Sequence, residues 1–298
     1  MNPIDCVIAT YDGMPDLDPD DRLLLGALRE HGVTVAIGVW SDPTVEWSAA
    51  RLCVLRSTWD YPKHFARFSA WLDAVEQTTV IRNEPALVRW NSHKQYLREL
   101  ELAGIPIVPT AWLARRQRAD LRSLLAAHGW EEAVVKPARG AAALHVLRVS
   151  LDRLDDAQAH LDRLLRTQDV LVQQYIDTAV HAERSLVFIA GAFTHAVSKR
   201  PFDTKMAIGD AAAQVVTPTA DERAVAARAI ASVPAASVLY GRVDVFQNDD
   251  GHVLVNEIEL IEPALYLGAH PPAAQRLAAA IAHELASMRA DAPRRLPR

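Results

Sequence analysis

The chain has 298 residues, 50% of them apolar and 23% charged, and carries a formal net charge of −5. That length suits about two domains of ordinary size, and the composition excludes a disordered chain. A net negative charge also argues against a nucleic-acid partner, whose binding draws on a surplus of basic side chains.

Short apolar runs at 7–9, 33–39 and 52–55 alternate with helical patterns at 20–30 and 65–75, the βαβ order of an open parallel sheet. Asp18-Pro19 is a helix start and Gly32 a stop. Thr10-Tyr11-Asp12-Gly13 follows the first strand, so the dinucleotide-binding G-x-G-x-x-G pattern is absent there. Asn83-Glu84-Pro85 interrupts the pattern and places a domain boundary near Leu87; a short helix over 92–101 follows, ended by Gly104 and Pro106. Strands at 107–112, 133–136, 144–149 and 170–175, with helices at 119–128 and 154–167, predict a small α+β unit. The remainder is strand-rich up to helices near 221–232 and 272–289, with a frayed Pro/Arg-rich end at 293–298. The expected division is an α/β domain over 1–87 and a second over 88–298, itself split into a small central part at 107–170 and a C-terminal part at 171–298.

Cys6 and Cys53 lie in apolar runs far apart, without metal-ligand or redox spacing, which predicts buried free thiols. The N-terminus lacks a basic leader, and no apolar run approaches the roughly 18 residues of a membrane span. The expectation is a cytoplasmic protein whose partners are small molecules rather than membrane or nucleic acid; a homo-oligomer is left open.

The most informative segment pairs Tyr240-Gly241-Arg242-Val243-Asp244-Val245-Phe246 with Val253-Leu254-Val255-Asn256-Glu257-Ile258-Glu259-Leu260 across Asn248-Asp249-Asp250-Gly251. It reads as a β-hairpin. Arg242 and Asp244 share one face of the first strand, and Glu257 and Glu259 one face of the second, opposite Leu254, Ile258 and Leu260. A turn closed by a 248/251 pair sets 244 opposite 255 and 242 opposite 257, so that Asp244, Glu257 and Glu259 converge. Three such carboxylates repel unless protons or cations neutralise them. Oxygen-only ligands favour Mg²⁺, although a solvated strand face with an Arg242–Glu257 ion pair fits the hairpin alone.

Five lysines (Lys63, Lys94, Lys136, Lys199 and Lys205) stand against 27 arginines, so a retained lysine marks a place where a compact ammonium fits and a guanidinium does not. Lys136 ends a strand, and the small-residue turn Ala138-Arg139-Gly140-Ala141-Ala142-Ala143 follows, where backbone N–H groups can approach a phosphate. Lys199 ends another strand and Lys94 lies in the helix over 92–101.

Together these segments resemble the ATP-grasp superfamily over 91–267. Gly241-Arg242-Val243-Asp244-Val245 with Asn256-Glu257-Ile258-Glu259 is similar to the metal and oxyanion motif of its D-alanine–D-alanine ligase branch. The resemblance implies an ATP-grasp architecture of α/β and α+β parts behind an N-terminal open parallel-sheet domain, with ATP and Mg²⁺ as cofactors. It assigns Lys94, Lys136 and Lys199 to phosphate, Gly140, Ala141 and Ala142 to the phosphate loop, and Gln173, Gln174, Tyr175 and Ile176 to the adenine hinge. It further gives Glu183 to the ribose, Asp244, Glu257 and Glu259 to the metal, and Arg242 and Lys199 to catalysis. Two departures are visible: the family usually has Asn where this chain has Glu259, and a phosphate loop richer in Gly and Ser.

Arg56-Ser57-Thr58-Trp59-Asp60-Tyr61, with Phe68, Trp71-Leu72, Trp90-Asn91, Lys94 and Tyr96-Leu97, resembles a narrower bacterial ATP-grasp group, the D-cycloserine synthetases. That likeness implies cyclisation of O-ureido-D-serine through an acyl phosphate, with loss of carbon dioxide and ammonia. Arg56, Ser57, Thr58, Asp60, Arg242 and Lys205 would face the substrate, the first four at the carboxyl end of a strand where open α/β sheets bind ligands. Ser57, Thr58 or Asp60 can equally cap the next helix. The turn at 140–143 and the stretch 201–209 with Lys205 are expected to close over the site. An intermolecular amino-acid or peptide ligase and a non-catalytic nucleotide-binding protein are the other readings of this pattern.

Overall fold

The computed structural model describes residues 4–140, 144–177, 180–199 and 213–290. The first part comprises β1 (Ile4–Thr10), α1 (Pro19–Glu30), β2 (Val35–Val39), β3 (Ala50–Ser57), α2 (Phe65–Val75) and β4 (Val80–Arg82). All strand pairs here are parallel, in the order β2-β1-β3-β4, as the alternation of apolar runs and helical patterns predicts. Asp18 caps α1 by accepting from Asp20 N (2.9 Å), with Pro19 in the first turn. Cys6 and Cys53 are free and buried, as expected.

Two helices follow, α3 (Pro85–Asn91) and α4 (Tyr96–Leu102), where the sequence pattern predicts one helix over 92–101. The expected boundary at Leu87 therefore falls inside α3, and Lys94 sits in the turn between the two helices. Pro85 supplies the missed start, since proline suits the first turn, where its absent N–H has no partner to lose.

The central part holds β5 (Thr110–Leu113), α5 (Leu121–His128), β6 (Glu132–Pro137), β7 (Leu147–Ser150), α6 (Leu154–Leu165) and β8 (Val170–Gln174). Its antiparallel sheet runs β5-β8-β6-β7. Because β8 pairs with both β5 and β6, a division at 170 cuts off a strand this sheet needs. The last part holds β9 (Glu183–Ile189), β10 (Ala192–Lys199), β11 (Gln214–Val216), α7 (Ala220–Ala231), β12 (Tyr240–Gln247), β13 (Val253–Glu259) and α8 (Pro272–Ala290), with sheet order β11-β10-β9-β12-β13. The expected tail at 293–298 lies outside the described residues.

The first and last parts share one core. Leu24 and Leu28 of α1 and Ile8 of β1 cluster with Val187, Tyr240, Leu277 and Ile281, so α8 covers the N-terminal sheet. Asn83 ties this junction. Buried at 0% exposure, it donates to Tyr240 O (2.8 Å) and Leu260 O (2.7 Å) and accepts from Leu239 N (2.8 Å). Among the described residues, no helix is long and apolar enough to cross a membrane.

Candidate active site

The β12–β13 hairpin carries the predicted carboxylates, in a register different from the expected one. Asn248 N donates to His252 O (2.9 Å), which makes the turn one residue longer, and a bulge falls where Asp244 passes to Val245. Asp244 consequently faces Glu257 and Arg242 faces Glu259, each two positions beyond the 244/255 and 242/257 pairs expected. The extra residue, Asn256, also flips the strand's alternation. Val253 and Val255 point into the core before it, as Ile258 and Leu260 do after it, and Leu254 turns to the other side. Gly241 is needed for close packing, since a Cβ there would lie 2.6 Å from Leu260 Cδ2.

β13 is an edge strand whose outer polar groups are closed by the segment carrying Lys94. Asn91 Nδ2 donates to Ile258 O (2.8 Å), and Asn91 Oδ1 accepts from Leu260 N (2.8 Å). The Tyr96 hydroxyl accepts from Ile258 N (3.0 Å). Farther along, Val108 N donates to Val255 O (3.0 Å) and Val255 N to Pro106 O (2.9 Å). Satisfying this edge covers a strand that would otherwise be open to pairing and brings Lys94 Nζ within 2.8 Å of Glu257 Oε1. Lys94 also donates to Gly140 O (3.0 Å), linking the hairpin to the predicted phosphate loop.

Arg242 organises the other carboxylates. It donates through Nε and Nη2 to Asp244 (2.8 and 2.9 Å), through Nη2 to Glu259, and through Nη1 to Ala264 O (3.1 Å). Of the five N–H donors of a guanidinium, four are thus engaged, and one on Nη1 has no partner among the described residues. Asp244 also accepts from Ser185 Oγ (2.5 Å). Burial alone would depress the Arg242 guanidinium, but Asp244 and Glu259 outweigh it and hold it firmly charged.

Lys136 is buried at 6% exposure, and desolvation pulls its ammonium down to about 8 against the attraction of Glu257. Its Nζ donates to Asn256 Oδ1 (3.3 Å), and Asn256 Nδ2 donates to Glu183 Oε1 (2.7 Å). The bulge residue therefore joins the predicted phosphate lysine to the predicted ribose acid. Burial would raise the Glu257 carboxyl, but Lys94 and Lys136 prevail and keep it below its usual range.

The three carboxylates are interleaved with cations rather than gathered. Among the described residues, no group of three or more His, Cys, Asp or Glu side chains is arranged to hold an ion. The expectation of direct convergence is corrected accordingly: Arg242 lies between Asp244 and Glu259, and Lys94 pairs with Glu257. The donor chemistry still suits Mg²⁺, because Asp244, Glu257 and Glu259 offer only hard oxygen.

On the substrate side, the expected residues are largely committed to holding the fold. Arg56 Nε donates to Asp21 Oδ1 (2.9 Å) and its Nη2 to Pro263 O (2.6 Å), while Ser57 Oγ donates to Asp21 Oδ2 (2.8 Å). Asp60 accepts from Trp40 Nε1 (2.7 Å) and makes no side-chain cap to the following turn. Among the described residues, Thr58 Oγ1 and Arg56 Nη1 are buried without a hydrogen-bond partner. Gln173 and Gln174, expected in the adenine hinge, end β8 between β5 and β6, and Tyr175 and Ile176 follow it; Gln173 Nε2 donates to Thr110 Oγ1 (2.9 Å). Lys199 ends β10 opposite Glu183. Ala141, Ala142 and Lys205, with the turn at 141–143 and the stretch 201–209, lie outside the described residues. Sequence reasoning missed Asn256, whose place depends on the bulge, and Glu262, a buried carboxyl just past β13.

Comparison with known proteins identifies the family. Residues 6–83 match the family described as the N-terminal domain of the D-cycloserine synthetase DcsG. The cycloserine biosynthesis protein DcsG of Streptomyces lavendulae is 34% identical over 287 residues, covering 90% of this chain and 95% of that protein. The crystal structure of D-cycloserine synthetase DcsG superimposes with a TM-score of 0.86 at 32% identity, over 94% of this chain and 99% of that one. The ATP-grasp ligase PsnB, solved with a precursor variant, Mg and ADP, has a TM-score of 0.64 at 17% identity over 94% of this chain and 98% of that one; this shows a shared fold. The chain belongs to the D-cycloserine synthetase family of ATP-grasp ligases.

Proposed function

We propose that this protein is an ADP-forming cyclo-ligase that converts O-ureido-D-serine to D-cycloserine. The observation that carries the reading is the hairpin on which Arg242, Lys94 and Lys136 meet Asp244, Glu257 and Glu259, in a chain 34% identical to a cycloserine biosynthesis protein. A carboxylate oxygen is a poor leaving group. Transfer of the γ-phosphoryl group of ATP to it forms an acyl phosphate and releases ADP. The ureido nitrogen of the same molecule then attacks the acyl carbon, gives up its proton, and expels phosphate as the ring closes. Water takes the carbamoyl group away as carbon dioxide and ammonia.

Within this scheme Lys136, Lys94 and Lys199 bind the phosphates, and Glu183 binds the ribose. The free Nη1 donor of Arg242 is held for the oxyanion that forms when nitrogen adds. Asp244, Glu257 and Glu259 would hold Mg²⁺, which supplies charge stabilisation to the transferring phosphoryl group. The division into a 1–87 substrate-side domain and an 88–298 grasp module belongs to the same proposal. ADP release with O-ureido-D-serine, beside a panel of amino-acid pairs, tests it. Turnover with the ureido compound alone is expected; turnover only with a pair would replace cyclisation by intermolecular ligation.

A further inference from the structure

Glu262 is a buried carboxyl that the roles above leave unused. It lies in the loop after β13, 8% exposed, and three successive carbonyls of this loop are each held by a site residue. Trp59 Nε1 donates to Glu262 O (3.1 Å), Arg56 Nη2 to Pro263 O (2.6 Å) and Arg242 Nη1 to Ala264 O (3.1 Å). The backbone is thereby fixed between the substrate-side segment and the arginine assigned to the oxyanion. Among the described residues no other side chain hydrogen-bonds the Glu262 carboxyl, which has its own backbone N–H beside it.

Two buried polar atoms of this seam have no hydrogen-bond partner among the described residues. Arg56 Nη1 belongs to a residue 1% exposed, and Thr58 Oγ1 to one that is 0% exposed. Thr58 lies between the two residues that bond the loop's backbone. Leaving a buried polar group unsatisfied is costly, and such groups persist where a ligand completes them.

The charge of an amino acid decides what that ligand presents. Its carboxylate must lie with Lys136 and Arg242 to be phosphorylated, which leaves the ammonium in need of an anion. Asp244, Glu257 and Glu259 are engaged by Arg242 and Lys94. Asp21 is taken by Arg56 and Ser57, Asp60 by Trp40, and Asp20 by the N–H groups of Leu267 and Gly268. Glu183 accepts from Asn256. Among the described carboxyls beside this seam, Glu262 is the one that remains.

We propose that Glu262 receives the α-ammonium of the amino-acid substrate, with Thr58 Oγ1 and Arg56 Nη1 offered to a neutral acceptor on the same molecule. This assignment rests on the cyclo-ligase reading for the identity of the substrate. Burial, reinforced by Glu259 and opposed by Arg56 and Lys94, pushes the empty Glu262 carboxyl up. An ammonium seated beside it favours the anion instead.

Calorimetry tests the assignment, using the whole protein with Mg²⁺ and a non-hydrolysable ATP analogue. The two probes are O-ureido-D-serine and the same ureidooxy acid lacking its α-amino group. The native chain is expected to bind the amine-bearing compound roughly 100-fold more tightly, the scale of one partner in a buried charged hydrogen bond. Glu262→Gln is expected to lose that preference, binding the deamino compound within about threefold of the native chain, and Glu262→Asp to restore part of it. Nucleotide affinity, measured on each variant, controls for folding. Equal binding of the two compounds by the native chain, or a preference that survives in Glu262→Gln, overturns the assignment. A preference that follows Glu262 without any turnover of the ureido compound upholds it and sinks cyclisation instead.

Discussion

Lys136 gives the account a quantitative handle, because its ammonium titrates where nucleotide binding can be measured. Burial lowers it from 10.5 to about 8. Phosphate binding requires the charged form, so affinity should be constant below pH 8 and weaken above it. The charged fraction falls from about nine-tenths at pH 7 to about one-tenth at pH 9, a tenfold weakening of MgADP binding over that interval. The sign for stability is opposite. Between the folded value near 8 and the unfolded value near 10.5, the unfolded chain binds more protons at this site, so the Lys136 contribution makes the fold more stable as pH rises. Calorimetric titration of MgADP from pH 6.5 to 9.5 reads the first effect, with Lys136→Met as control. The variant should bind more weakly at pH 7 and lose most of the pH dependence. Native affinity that stays flat to pH 9.5, or an undiminished slope in Lys136→Met, would refute the placement of phosphate at this side chain.

Two substitutions separate chemistry from architecture. Arg242→Ala should lower kcat by about 10²- to 10³-fold, the cost of one oxyanion donor, while MgADP affinity changes only a few-fold; rate retention within fivefold would remove the arginine from the chemical step. Asn83→Ala deletes the three hydrogen bonds that join Leu239, Tyr240 and Leu260 to the first sheet. At roughly 1 kcal/mol each, it should cost about 3 kcal/mol in urea unfolding, and a loss below 1 kcal/mol would show that the junction is held by apolar packing alone.

The parallel sheet was legible because its strands are nearly continuous apolar runs between capped helices, with Asp18-Pro19 and Gly32 marking α1. The two faces of β12 were legible from alternation alone. The register was not, since nothing at Asn256 advertises a bulge, and one inserted residue moves every partner beyond it. Lys94 was recognised by resemblance but placed on a helix. Its turn is set by Asn91 and Tyr96, which bond to Ile258 and Leu260 more than 160 positions away. Arg56 read as a substrate contact, whereas most of its donors serve Asp21 and Pro263. Such long-range partners leave no local pattern, and the same holds for Glu262, whose isolation follows only once its neighbours are seen to be engaged.

In the proposed reaction ATP activates a carboxylate as an acyl phosphate. Oxygen-18 placed in the carboxylate of O-ureido-D-serine follows that bond directly. One labelled oxygen should appear in the inorganic phosphate released with each turnover, and the other should stay in the ring carbonyl of the product. Unlabelled phosphate, with its fourth oxygen drawn from water, would mean that ATP is hydrolysed without phosphorylating the substrate and would contradict the account.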